Sequence, residues 1–124
     1  MTLFLYQNHL LEYHPHYRKV PLNQAIDFLD SLDEKSRDKI IYNIDKASFI
    51  NDPKLFKKLK GQIWEFRTLY KKKQYRLLAF WDKEDKMETL VISTHGFVKK
   101  TSKVPSAEVQ RAENLRKEYF DSKK

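Results

Sequence analysis

Leu22, Ala25, Ile26, Leu29 and Leu32 recur at helical spacing, with Asn23, Gln24, Asp27 and Asp30 between them, so this stretch predicts an amphipathic helix. Asp33 is placed to cap a second helix running to about Ser48, whose apolar face is Ile40, Ile41, Ile44 and Ala47. The short connection predicts a helical hairpin, and Asn51-Asp52-Pro53 ends it. Strand-like runs follow. Gln62–Tyr70 and Lys73–Trp81 read as a β-hairpin, and Glu88–Phe97 as the next strand, reached through the charged turn 82–86. Ser106 can cap a last helix that has Glu108 in its first turn and Val109, Ala112, Leu115 and Tyr119 as apolar positions. Ahead of all these, residues 2–7 read as a short first strand. The segment from His9 to Val20 reads as irregular, because Pro15 and Pro21 forbid a continuous helix. The order β-α-α-β-β-β-α predicts an α+β fold, with helices on one face of a mainly antiparallel sheet and the other face open.

Strand alternation then sorts the hairpin residues. Glu65 and Arg67 share one face, while Trp64, Phe66 and Thr68 share the other; in the partner strand Arg76, Leu78 and Phe80 lie together. A two-residue loop at Lys71-Lys72 sets Arg67 directly across from Arg76, whereas a three-residue loop sends them to opposite faces. Facing arginines repel, and a shared phosphate or Glu65 relieves the repulsion. Trp64, Phe66, Phe80 and Trp81 read as core. Tyr70, Tyr75 and Phe97 are the aromatics suited to stacking on bases if they are exposed.

Charge sharpens this picture. The 124 residues carry a net charge of +8, with 40% apolar residues and seventeen aromatics, the composition of one globular domain spanning 1–124. Residues 1–53 sum to −2 and residues 54–124 to +10. Between Lys54 and Arg76 nine basic residues meet one acid, Glu65. Arginines inside strands need water or an anion, so a sheet face bearing them and rimmed with lysines suits a phosphate backbone. The chain has no cysteine, which excludes disulfides and thiolate metal sites. His9, His14 and His16 lack a ligand-like spacing, and no metal or cofactor is expected. No apolar run is long enough to span a membrane and no leader is visible, which gives a cytoplasmic expectation.

Four segments, PLNQAIDFLDSLDEKSRDKI, LKGQIWEFR, YRLLAFW and THGFVKKTSKVPSAEVQRAENLRKEYF, stand in the order and spacing of a known family. Over roughly residues 20–120 the chain resembles the HigB branch of the RelE/ParE toxin superfamily, including phage-derived toxin-like proteins. The resemblance implies a curved antiparallel sheet with a helical hairpin, and a cytoplasmic toxin of a type II toxin–antitoxin pair. It further implies ribosome-dependent mRNA cleavage without a metal, in which the 2′-hydroxyl attacks the adjacent phosphate. The implied partners are mRNA, the ribosome and a HigA-like helix-turn-helix antitoxin, held in a hetero-oligomer. Carried over by position, the strand arginines are Arg67 and Arg76, the paired lysines after the last strand are Lys99 and Lys100, and the lysines before the hairpin are Lys57, Lys58 and Lys60.

Several relatives place a tyrosine or a histidine pair near the chain end, where this sequence offers His95 and Phe97. RNA cleavage by internal transfer needs the 2′-hydroxyl deprotonated, the 5′-oxygen protonated and the added negative charge stabilised. The expected catalytic set is therefore Arg67 and Arg76 for charge, with His95 or a lysine of depressed pKa such as Lys99 for the proton. Lys57, Lys58, Lys60 and Lys100 are expected to grip RNA. Two other functions fit the same fold: a ParE-like inhibitor of DNA gyrase, and a non-enzymatic nucleic-acid-binding protein of phage origin.

Overall fold

A computed structural model of the chain describes residues 17–124. The strand expected over 2–7 and the three N-terminal histidines lie outside the described residues. The chain forms β1 (Arg18–Pro21), α1 (Asn23–Asp30), α2 (Glu34–Phe49), β2 (Phe56–Lys60), β3 (Ile63–Tyr70), β4 (Lys73–Asp82), β5 (Leu90–Lys99) and α3 (Ser106–Ser122). Asp33 caps α2 as expected, accepting a hydrogen bond from the Ser36 N–H at 3.1 Å. Ser106 does not cap α3; Pro105 occupies that position and Ser106 is the first helical residue.

The strands make one sheet in the order β1-β5-β4-β3-β2, with β1 parallel to β5 and every other pair antiparallel. Two strands are additions to the expected order. Residues 18–21, read as irregular, form β1, which buries Lys19 and lets its Nζ donate to Ser48 Oγ at 2.7 Å. Burial lowers the Lys19 pKa to about 8. Residues 56–60 form β2, whose three lysines on a sheet edge discourage pairing with another chain.

Both faces of the sheet are covered in part, which corrects the expectation of helices on one side. Ala25 and Leu29 of α1 and Ile40, Ile41 and Ile44 of α2 pack on Phe66, Tyr75, Leu77, Ala79 and Val91. Polar ties hold α2 there: Asn43 Nδ2 donates to Thr68 Oγ1 at 3.1 Å and the Tyr75 hydroxyl donates to Ser36 Oγ at 3.3 Å. Gly96 lies under α1, where a Cβ would enter the Phe28 ring, so only glycine fits. On the opposite face Ala112 of α3 joins Ile63, Leu78, Phe80 and Ile92.

Two carboxylate contacts, one from half-buried Glu108 and one from buried Asp82, pin α3 near its ends. His95 Nε2 lies 3.0 Å from Glu108 Oε1 in the first turn. At the far end Asp82 accepts from the Tyr119 hydroxyl at 2.6 Å and from Lys123 Nζ at 2.7 Å. A helix so fixed covers part of its sheet face and leaves a groove beside it.

Candidate nucleic-acid interface

The hairpin register decides the site. Tyr70 pairs with Lys73 across the two-residue loop Lys71-Lys72, so Arg67 stands directly opposite Arg76 on the α3 side of the sheet. Lys57 of β2 pairs with Glu65, and Lys99 of β5 pairs with Gln74. The sequence left two registers open, and the structure adopts the one that gathers these charges.

Beside α3, Lys57, Glu65, Arg67 and Lys99 come together at a groove of about 620 Å³. Its sheet wall carries Lys57, Lys60, Glu65, Arg67 and Lys99; its other wall carries Ser102, Lys103, Ser106, Val109, Gln110 and Glu113. One wall is cationic and the other mostly neutral and polar. That division suits a ligand with an anionic backbone on one side and uncharged groups on the other.

The facing arginines differ in what they can reach. Arg76 is 2% exposed, and its Nε is 3.0 Å from Glu65 Oε1, which is also buried. The Nε–H is not aimed at that oxygen, so the contact is an ion pair without a hydrogen bond along it. Arg76 Nη1 donates to Gln74 Oε1 at 3.2 Å and to the Tyr75 carbonyl at 3.0 Å. Its pKa is lowered by burial and by Arg67, with Glu65 opposing. Arg67 is only partly buried; its Nη1 donates to the Pro53 carbonyl at 3.2 Å and its side chain borders the groove. Arg76 therefore lies beneath the site, and Arg67 in it.

Lys99 in the groove has a lowered pKa. Desolvation lowers it, Arg76, Arg67 and Lys57 lower it further, and Glu65 opposes them. An ammonium crowded by cations gives up its proton more readily than a free lysine does.

The other expected residues lie elsewhere. Lys58 pairs with Trp64 and so alternates to the opposite sheet face from Lys57. Lys100 follows the end of β5, is exposed, and is not part of the groove lining. His95 is 1% exposed. A bulge places Thr94 and His95 opposite the single residue Leu78, with Thr94 Oγ1 3.1 Å from His95 Nδ1 and Glu108 on the other ring nitrogen. Burial lowers the His95 pKa, the hydrogen bond its Nε2 donates to Glu108 opposes that, and Arg111 adds to the lowering. Of the aromatics, Phe66, Phe80 and Tyr75 are buried, while Trp64 and Trp81 are half-buried and stack edge-on at 5.7 Å. Lys103 and the α3 wall escaped sequence reasoning, because only the packing of α3 across the sheet brings them to β3.

A family model of phage-derived, Gp49-like proteins matches residues 27–117, and the chain belongs to this family, which is RelE- and HigB-like and toxin-like in character. A search of curated proteins gave no match. Among the described residues no helix is long and apolar enough to cross a membrane.

Proposed function

We propose that this Gp49-like chain is a single-domain toxin of a type II toxin–antitoxin pair, a cytoplasmic endoribonuclease that cuts mRNA on the ribosome. The observation that carries the reading is the groove, where Lys57, Lys60, Arg67 and Lys99 converge on one sheet wall around the single carboxylate Glu65. Fixed cations facing a groove hold phosphates and stabilise the charge that builds up as a phosphodiester is attacked.

In this reading Lys57 and Lys60 hold flanking phosphates and Arg67 binds the scissile one. Lys99, with its lowered pKa, accepts the proton of the 2′-hydroxyl. The 2′-oxygen forms a bond to phosphorus, the bond from phosphorus to the 5′-oxygen breaks, and that oxygen is protonated by Lys57, Lys60 or solvent. Guanidinium and ammonium groups supply the positive charge that this chemistry asks for, and no cofactor enters the scheme. Arg76 and His95, both buried, are positioning residues: Arg76 holds Glu65, and His95 holds the first turn of α3 through Glu108. A HigA-like antitoxin would silence the toxin in a hetero-oligomer.

Inducible expression with mapping of new mRNA 5′ ends tests the reading. The expected result is growth arrest, with cuts inside translated codons that vanish when translation is blocked, and rescue by the product of the neighbouring gene. Arrest with intact mRNA and inhibited gyrase would replace this reading with the gyrase inhibitor. Normal growth at confirmed soluble expression would remove the toxin.

A further inference from the structure

We propose that the tip of the β3–β4 hairpin, Lys71-Lys72-Lys73, is a second phosphate-binding point, gripping the backbone of a folded RNA outside the groove. The inference rests on the reading of the protein as RNA-binding and adds a contact to it.

The tip is built against its own stability on two counts. Both loop residues have positive φ, 50° at Lys71 and 67° at Lys72. A two-residue turn of this kind favours Asn-Gly, because a Cβ crowds the backbone in the left-handed region. The neighbouring β2–β3 turn meets the same demand with Gly61 at φ 58°. The chain therefore uses glycine at one such turn and two lysines at the next.

The second count is charge. Lys71, Lys72 and Lys73 are consecutive and exposed, and among the described residues none forms an ion pair. Lys71 Nζ lies 5.4 Å from the Tyr70 ring centroid. The carboxylate that senses Lys71, Asp33, is held low chiefly by its hydrogen bonds with Ser36, and Lys71 is the least of the causes. Three like charges on a strained turn repel one another, with only the small attraction between Lys71 and Asp33 against it. Backbone strain of this kind collects where a ligand makes use of it. An anion supplied by a partner would offset the repulsion.

Position says which anion. Lys73 shares the α1–α2 face of β4 with Tyr75 and Leu77, opposite the face on which Gln74 meets Lys99, so the tip stands apart from the cationic row of the groove. Tyr70 is three residues beyond Arg67, about 10 Å at strand rise, too far for the tip to share the phosphate held by Arg67. The ladder runs unbroken to the Tyr70–Lys73 pair, so the charges sit on a rigid arm. A rigid, projecting cationic arm fits the outer backbone of an RNA helix better than a single strand lying in the groove.

The test uses the full chain and two double variants, K71N/K72G and K71R/K72R. The probes are purified ribosomes, a double-stranded RNA oligonucleotide, and a single-stranded RNA short enough to occupy only the groove. K71N/K72G should melt higher, by several degrees, because it relieves both strain and repulsion. On ribosomes and duplex RNA its salt slope should fall by about two units, one per lost phosphate contact. Its affinity for the short single strand should stay parental, and K71R/K72R should keep the parental slopes. Parental slopes for K71N/K72G, on a parent that does bind ribosomes, would overturn the tip alone and leave the proposed function standing. A parent that binds neither ribosomes nor RNA would overturn both. Intact RNA binding with weakened antitoxin binding would reassign the tip to an acidic protein and overturn the proposal.

Discussion

On the α1–α2 side of the sheet, alternate residues of β3 and β4 are Phe66, Thr68, Tyr75, Leu77 and Ala79, all buried and all met by helix side chains. On the α3 side, the intervening residues of the same strands are Glu65, Arg67, Arg76, Leu78 and Phe80. The first face closes over an apolar core. The second closes only where Leu78 and Phe80 meet α3, and opens into a groove where the charges stand. One backbone thus serves two purposes through its two-residue side-chain period. Stability is concentrated on the sealed face, and the ionic chemistry on the half-covered one.

Arg76 offers the hardest way to break this division, since it lies on the charged face yet is buried. Arg76→Ala leaves Glu65 as an uncompensated buried carboxylate and should cost about 3–5 kcal/mol of folding stability. Removing both charges with R76M/E65L should recover most of that loss, because the apolar pair needs no partner. Urea denaturation of the three proteins checks this; an Arg76→Ala variant as stable as the parent would show that the pair bears no structural load.

Arg67→Ala, directly across the hairpin, should do the reverse. Folding should stay near parental, while cleavage of ribosome-bound mRNA should slow on the order of 100-fold or more, the typical cost of one charge-stabilising donor. Single-turnover rates at saturating ribosome separate this from weaker binding.

A smaller effect concerns pH. Lys99 has a lowered pKa, so it loses its proton at lower pH than an ordinary lysine, and its neutral form becomes more abundant as pH rises. If that form is the base, the cleavage rate should climb with pH and level off below the ordinary lysine value of 10.5. Lys99→Arg should abolish the climb. His95→Gln should keep it, because the buried imidazole does not border the groove.

Much of the architecture was legible, because its signals are local. The 3.6-residue period of Leu22–Leu32, the Asp33 cap and the alternation of β3 and β4 need only near neighbours. What escaped depends on distant parts of the chain. Four residues at 18–21 become a strand only because β5 lies alongside them, and their Lys19 is acceptable inside because Ser48 accepts from it, Asp45 attracts it and the Tyr17 ring lies 5.8 Å away. The sequence FKKLK looks like a solvated turn until β3 pairs with it. The site divided in the same way. Arg67, Lys57, Lys60 and Lys99 were found from charge and motif, but whether a charge ends in the groove or beneath it depends on where α3 lies. That placement buries His95 and brings Lys103 and Gln110 forward.

Lys57 and Lys58 are adjacent in sequence and equal in charge, but they point to opposite faces of the sheet. Ribosome affinity of Lys57→Ala and Lys58→Ala, measured across a range of salt concentrations, therefore tests most directly which face binds RNA. Lys57→Ala should lower the salt slope by about one unit and Lys58→Ala should leave it unchanged. Equal losses from the two variants, or a loss from Lys58→Ala alone, would contradict the assignment of RNA to the groove beside α3.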